Sequence, residues 1–177
     1  MSPTPLFPPS ECTTHARHAM DATCHVVVAP WRDPVVERVG FDACGDYVEL
    51  FWLGILGPTA TLLLRRLAIT VVLHPHGFVL DTRSTAGALG LGADSGERSI
   101  FARSLGRLVM FGLARRRGQC LDVRTVVPPL SLKHLARLPD HLQSAHALWT
   151  ESAPQDATAL GYACGRPAHD DITSSVC

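Results

Sequence analysis

The chain has 177 residues, 46% hydrophobic, 18% charged and 6% aromatic, a balance that supplies one aliphatic core and excludes a disordered polyelectrolyte or a bundle of membrane helices. Sixteen basic residues meet sixteen acidic ones, so the chain as a whole is no polycation. Fifteen of the basic residues are arginine and one, Lys133, is lysine, which favours planar bidentate donors over point charges.

Taken from the start, residues 1–30 carry five of the thirteen prolines and one short apolar run, Val26 to Val28. They are predicted to be a disordered tail. The opening MSPTPLFPPS lacks the basic and apolar parts of a secretory signal, which predicts a cytoplasmic protein with its six cysteines as free thiols. Cys12, His15, His18, Cys24 and His25 crowd this tail, but no zinc module has their spacing, and no metal site is expected. The longest apolar stretch, 50–64, is broken by Gly54, Gly57 and Pro58 and runs into Arg65 and Arg66. It is too short to span a bilayer, and the expectation is no membrane association.

Helical punctuation begins at Asp46 and Glu49, a capping-box-like pair before the apolar run 47–56. Gly57 ends that helix and Pro58 opens the next, predicted to reach Leu73 before His74, Pro75, His76 and Gly77 stop it. Phe78 to Leu80 reads as a short extended piece, and Asp81 as the cap of a small helix closed by Gly90. After a turn at Asp94, Ser95 and Gly96, a helix is predicted over 98–111, ended by Gly112. Residues 113–116 and 120–127 flank Arg117, Gly118 and Gln119 as a hairpin. Ser131 caps a helix to Leu138, Asp140 caps a last one to Trp149, and residues 151–177 form a second flexible tail. The domain is thus expected over 31–150, with its core at 58–138.

Charge is unevenly distributed. Residues 58–138 hold twelve basic and four acidic residues, a net charge of +8, and the rest of the chain carries −8. A basic module with acidic flanks is the electrostatic footprint of a polyanion binder. On the helix 98–111, a period of 3.6 residues places Phe101, Leu105 and Leu108 on one stripe and Ser99, Arg103, Gly106, Arg107 and Met110 on the opposite face. That outer face suits a major groove, where arginine pairs with guanine or phosphate. Arg115, Arg116 and Arg117 follow at the hairpin, where they would reach flanking backbone.

The order helix, short strand, helix, turn, amphipathic helix, basic hairpin resembles a winged helix-turn-helix. The resemblance is carried by LDTRSTAGALGL (80–91), SIFARSLGRLVMFGLARRR (99–117) and GQCLDVRTVVPPL (118–130). The stretch FWLGILGPTATLLLRRL (51–67) is similar to uncharacterised actinobacterial proteins with this core. The resemblance implies a mainly α fold with a small β-hairpin, a winged helix-turn-helix core with extra flanking helices. It also implies duplex DNA as partner and a role in transcription regulation in bacteria. Recognition-helix contacts would fall at Ser99, Arg103 and Arg107, and wing contacts at Arg116 and Arg117. Met110 on the outer face departs from a phosphate-facing helix and favours the alternative, a protein-interaction module without DNA binding. A homodimer is the expected assembly, with Phe51, Trp52, Leu142, Leu148 and Trp149 available either to complete the core or to pair subunits.

No enzyme is expected. GxSxG, GxxxxGK[ST] and HExxH are absent, and the glycines of AGALGLG (86–92) follow a small helix instead of a strand, so no catalytic residue and no cofactor is assigned.

Overall fold

A computed structural model of the chain describes residues 25–92 and 98–152. The turn 94–96, the tail 153–177 and the cluster Cys12, His15, His18 and Cys24 lie outside the described residues.

The first described element corrects the expected tail. Val26, Val27 and Val28 sit in strand β1 (His25–Pro30), as β-branched side chains suit a half-buried pleated surface. Asp33 then caps the short helix α1 (Pro34–Val39), accepting from the amides of Val35 and Val36. Phe41–Asp42 forms the two-residue strand β2.

The run predicted as an α-helix over 47–56 begins instead as a wider π-turn, Val48–Trp52, and continues as helix α2 (Leu53–Leu56). Its apolar pairs, Tyr47–Val48, Phe51–Trp52 and Ile55–Leu56, repeat every four residues, more than the 3.6 of an α-helix. The wider turn keeps all six on one side, and all six are buried. Glu49 does not complete a capping box. Its carboxylate pairs with Arg65 at 3.1 Å.

Helix α3 spans Pro58–Leu73 with Pro58 in its first turn, as predicted. Strand β3 (Phe78–Asp81) follows, and Asp81 caps helix α4 (Thr82–Ala88) through the amides of Arg83 and Ser84. Helix α5 covers Ile100–Met110. Strands β4 (Ala114–Arg117) and β5 (Cys120–Val123) make the predicted hairpin, turned at Gly118, whose positive φ of 61° suits glycine. Val126–Val127 forms strand β6, Ser131 caps helix α6 (Leu132–Leu135), and helix α7 runs over Asp140–Ser152.

The expected mainly α winged helix-turn-helix is contradicted. Among the described residues helix accounts for 55% and strand for 18%, with a mixed four-stranded sheet and a separate two-stranded one, so the fold is α/β. Strand order in the larger sheet is β3-β1-β5-β4, and β2 pairs with β6 in the smaller. β1 lies between β3 and the hairpin, antiparallel to β3 (Val28 opposite Phe78) and parallel to β5 (Val28 opposite Leu121). The short extended piece and the hairpin are therefore joined by a strand that the sequence reading left in a tail.

One core lies between this sheet and the helices. Val28, Leu121 and Val123 face it from the sheet, Leu63, Leu64, Leu67 and Val71 from α3, and Phe101, Leu105 and Leu108 from α5. Phe51 and Trp52 belong to this core, and Leu142 and Trp149 pack on its edge, so these four complete the monomer. Leu148 is exposed. Among the described residues no helix is long and apolar enough to cross a membrane. Cys120 is disulfide-bonded, against the expectation of free thiols.

Candidate anion-binding groove

Helix α5 is amphipathic as the sequence implies. Phe101, Leu105 and Leu108 are buried against α3 and the end of α2, while Arg103, Gly106 and Arg107 are exposed and Met110 is 75% exposed. Ser99 departs from that outer face. It is buried, and its Oγ accepts from the Ala102 amide at 3.1 Å as the helix cap, which satisfies one of the orphan donors of the first turn. Its hydroxyl is thereby occupied within the fold and not directed outward.

Arg107 has an anchored guanidinium. Its Nη2 donates to the Ile55 carbonyl at 2.9 Å, at the C-terminal end of α2, where a cation meets the negative end of a helix. Gly57 lies beside it and is set by its backbone: its φ of +78° favours glycine, whereas a Cβ there would meet Arg107 Nη1 only at an ordinary contact of 3.5 Å. Arg103, one turn earlier on α5, is exposed.

Between the first turn of α3 and this face of α5 runs a groove of about 700 Å³. Arg103, Arg107, Gly57, Thr59 and Met110 line it, together with Arg137 from the connection between α6 and α7. Among the described residues no carboxylate lines it. Arg137 was only counted as a charge in the sequence; its neighbours across the groove are distant along the chain, so no local pattern announces it.

The hairpin arginines have a different environment. Arg115 and Arg117 extend over the outer face of the sheet, where Arg115 Nε donates to Asp122 Oδ2 at 2.9 Å and Arg117 donates from Nε at 3.2 Å and from Nη2 at 3.1 Å. The Asp122 side chain is 2% exposed and the two arginines 51% and 52%. Arg116 stands opposite Leu121 and so points to the other face of the sheet. The three arginines therefore do not form one cluster: two neutralise a buried carboxylate and the third faces away.

Beside them lies a network that sequence reasoning missed. Arg124 is buried, stacks over the Trp31 ring at 3.7 Å, and donates to the Gly112 carbonyl and to Asp33 Oδ2, each at 2.9 Å. Arg115 lies over the same ring at 4.6 Å. The hydrogen bond from Arg124 holds the Asp33 carboxyl below its ordinary range. Its polar groups are partnered internally, which marks it as architecture.

A second buried polar contact closes the opposite side. Tyr47 Oη lies 2.8 Å from His146 Nε2 and accepts from the Leu130 amide at 2.9 Å. Burial pushes the Tyr47 hydroxyl up and the His146 imidazole down from their ordinary values. Which of the two donates across the Tyr47–His146 contact depends on the imidazole tautomer. Among the described residues no three His, Cys, Asp or Glu side chains form a metal-binding group.

No family model, curated protein or solved structure matches the chain.

Proposed function

We propose that the protein binds duplex DNA along the outer face of α5. The observation that carries the reading is the exposed pair Arg103 and Arg107, one helical turn apart, facing a groove with no lining carboxylate among the described residues. A guanidinium that is not neutralised by its own fold retains its full attraction for a phosphate or a guanine edge. The net charge of +8 over residues 58–138 supports the same ligand class. Within that module, Arg103 is the principal contact, Arg107 a contact held in place by its bond to Ile55, and Arg115 and Arg117 weak contributors because Asp122 already pairs them.

The test is fluorescence anisotropy against random-sequence duplex at low and at physiological salt. The expected result is binding that weakens steeply with ionic strength, with Arg103→Ala costing about 1–3 kcal/mol. Equal affinity of parent and variant would overturn the reading. Met110, exposed beside the groove, favours a second reading, an apolar protein partner. Binding to such a partner would persist at high salt.

A further inference from the structure

The groove between α3 and α5 gathers positive charge from three separate stretches of chain. α5 supplies Arg103 and Arg107, the α6–α7 connection supplies Arg137, and Gly57 and Thr59 bring the start of α3 to the same wall. α3 is sixteen residues long and opens with Pro58. Its first-turn amides have no carbonyl of their own helix to bond, and its dipole adds partial positive charge at that end. The bond from Arg107 to Ile55 uses one of the five N–H donors of its guanidinium. Three arginines line one groove, and among the described residues no lining carboxylate compensates them. An anion is the missing counter-charge.

We infer that this groove is a phosphate-binding site in which Arg137 acts with Arg103 and Arg107. The arginines reach the groove from two sides, Arg103 and Arg107 from α5 and Arg137 from beyond α6, which matches a tetrahedral group carrying several acceptor oxygens better than a planar carboxylate, which a single guanidinium satisfies bidentately. About 700 Å³ is the volume of a small-molecule site, enough for a phosphate with its substituents. The source of the phosphate, a nucleic-acid backbone, rests on the function proposed above; the chemistry of the site does not. Because Arg137 lies beyond α6 while the other two lie on α5, a bound phosphate also ties the C-terminal part of the described chain to the core.

The test is thermal unfolding of the full chain with inorganic phosphate titrated in place of chloride at constant ionic strength, for the parent, Arg137→Ala and Arg137→Lys. A ligand that binds only the native state raises the unfolding temperature with its concentration, and the difference between parent and variant removes the general salting-out action of phosphate. The expected result is a rise in the parent that is mostly lost in Arg137→Ala and partly retained in Arg137→Lys. Equal rises in parent and Arg137→Ala, or no rise in either, would overturn the site. The same proteins are then titrated with duplex DNA. An Arg137-dependent phosphate response without DNA binding supports the site, makes free phosphate or a phosphorylated small molecule its ligand, and removes the DNA reading. Salt-sensitive DNA binding unaffected by Arg137→Ala, with no phosphate response, overturns the site and leaves the DNA reading standing.

Discussion

Two groups of arginines, close in sequence and equal in formal charge, have opposite situations in this protein. Arg115 and Arg117 on β4 lie across from Asp122, a carboxylate buried in the neighbouring strand, and their charge serves to pay for burying it. Arg103 and Arg107 on α5 face a groove whose lining, among the described residues, holds no acid. A run of basic residues is thus informative about ligands only after its internal partners are known. A salt-bridged guanidinium presents a dipole to an incoming phosphate, and an uncompensated one presents a charge.

Mutation can break this contrast at its strongest point first. Arg124→Ala removes a buried guanidinium from Asp33, the Gly112 carbonyl and the Trp31 ring together. The expected loss of stability is about 3 kcal/mol, from the Gly112 carbonyl left without its donor and the packing lost over Trp31, since the partly exposed Asp33 can rehydrate, read from chemical denaturation. A smaller loss, about 1–3 kcal/mol, is expected for Asp122→Asn, because the half-exposed arginines can rehydrate when the carboxylate is gone. The same variant sharpens the contrast in binding, since it frees Arg115 and Arg117; DNA affinity should rise in it while stability falls.

The reverse pattern is expected on α5. Arg103→Ala should leave stability within about 0.5 kcal/mol, as is usual at an exposed position without structural partners, and lower DNA affinity by about tenfold or more. The double variant Arg115→Ala, Arg117→Ala should lose more stability than affinity. If both pairs of measurements moved in parallel, the distinction between structural and ligand-facing arginines would fail.

The smallest expected effect is a pH dependence, and it belongs to neither arginine group. Burial lowers the His146 pKa below its ordinary 6.5, so near that pH the unfolded chain binds more protons than the folded one. Stability is then full above about pH 6.5 and declines as pH falls through 6.5 toward the lower folded value. Tyr47→Phe should keep that slope, because burial sets it, and cost about 1–2 kcal/mol, because the Leu130 amide loses its acceptor. Thermal unfolding between pH 5 and 8 reads both. Asp33 contributes a separate acid limit: its carboxyl is held below 3.8, so its contribution is present above that value and is lost as pH falls toward the folded one.

Local elements were legible wherever the signal was local. Pro58 and Gly57 mark the junction of α2 and α3, Asp81 and Ser131 are caps in both readings, and Phe101, Leu105 and Leu108 form the buried stripe of α5 that their spacing predicts. The π-turn at 48–52 could have been read from apolar pairs repeating every four residues. β1 could not. Three valines beside a proline-rich stretch become a central strand only because Phe78–Asp81 and Cys120–Val123 supply edges on both sides. Hydrogen bonds to such distant partners leave no mark on the strand's own neighbours. The site divides the same way. Arg103 and Arg107 were legible as one face of a helix, whereas Ser99 turned inward as a cap, and Arg137 joined the groove from beyond α6.

What the amino-acid order determined by itself was therefore the position of most helices, α1 and the π-turn apart, and the exposed face of α5, since caps, prolines, glycines and a 3.6-residue period act over a turn or two of chain. The tertiary structure alone decided that the fold is α/β, that Arg115 and Arg117 are neutralised, and that three arginines share a groove with no lining carboxylate among the described residues. Strand pairing and electrostatic compensation depend on distance in space, and that distance exists only once the chain has closed on itself.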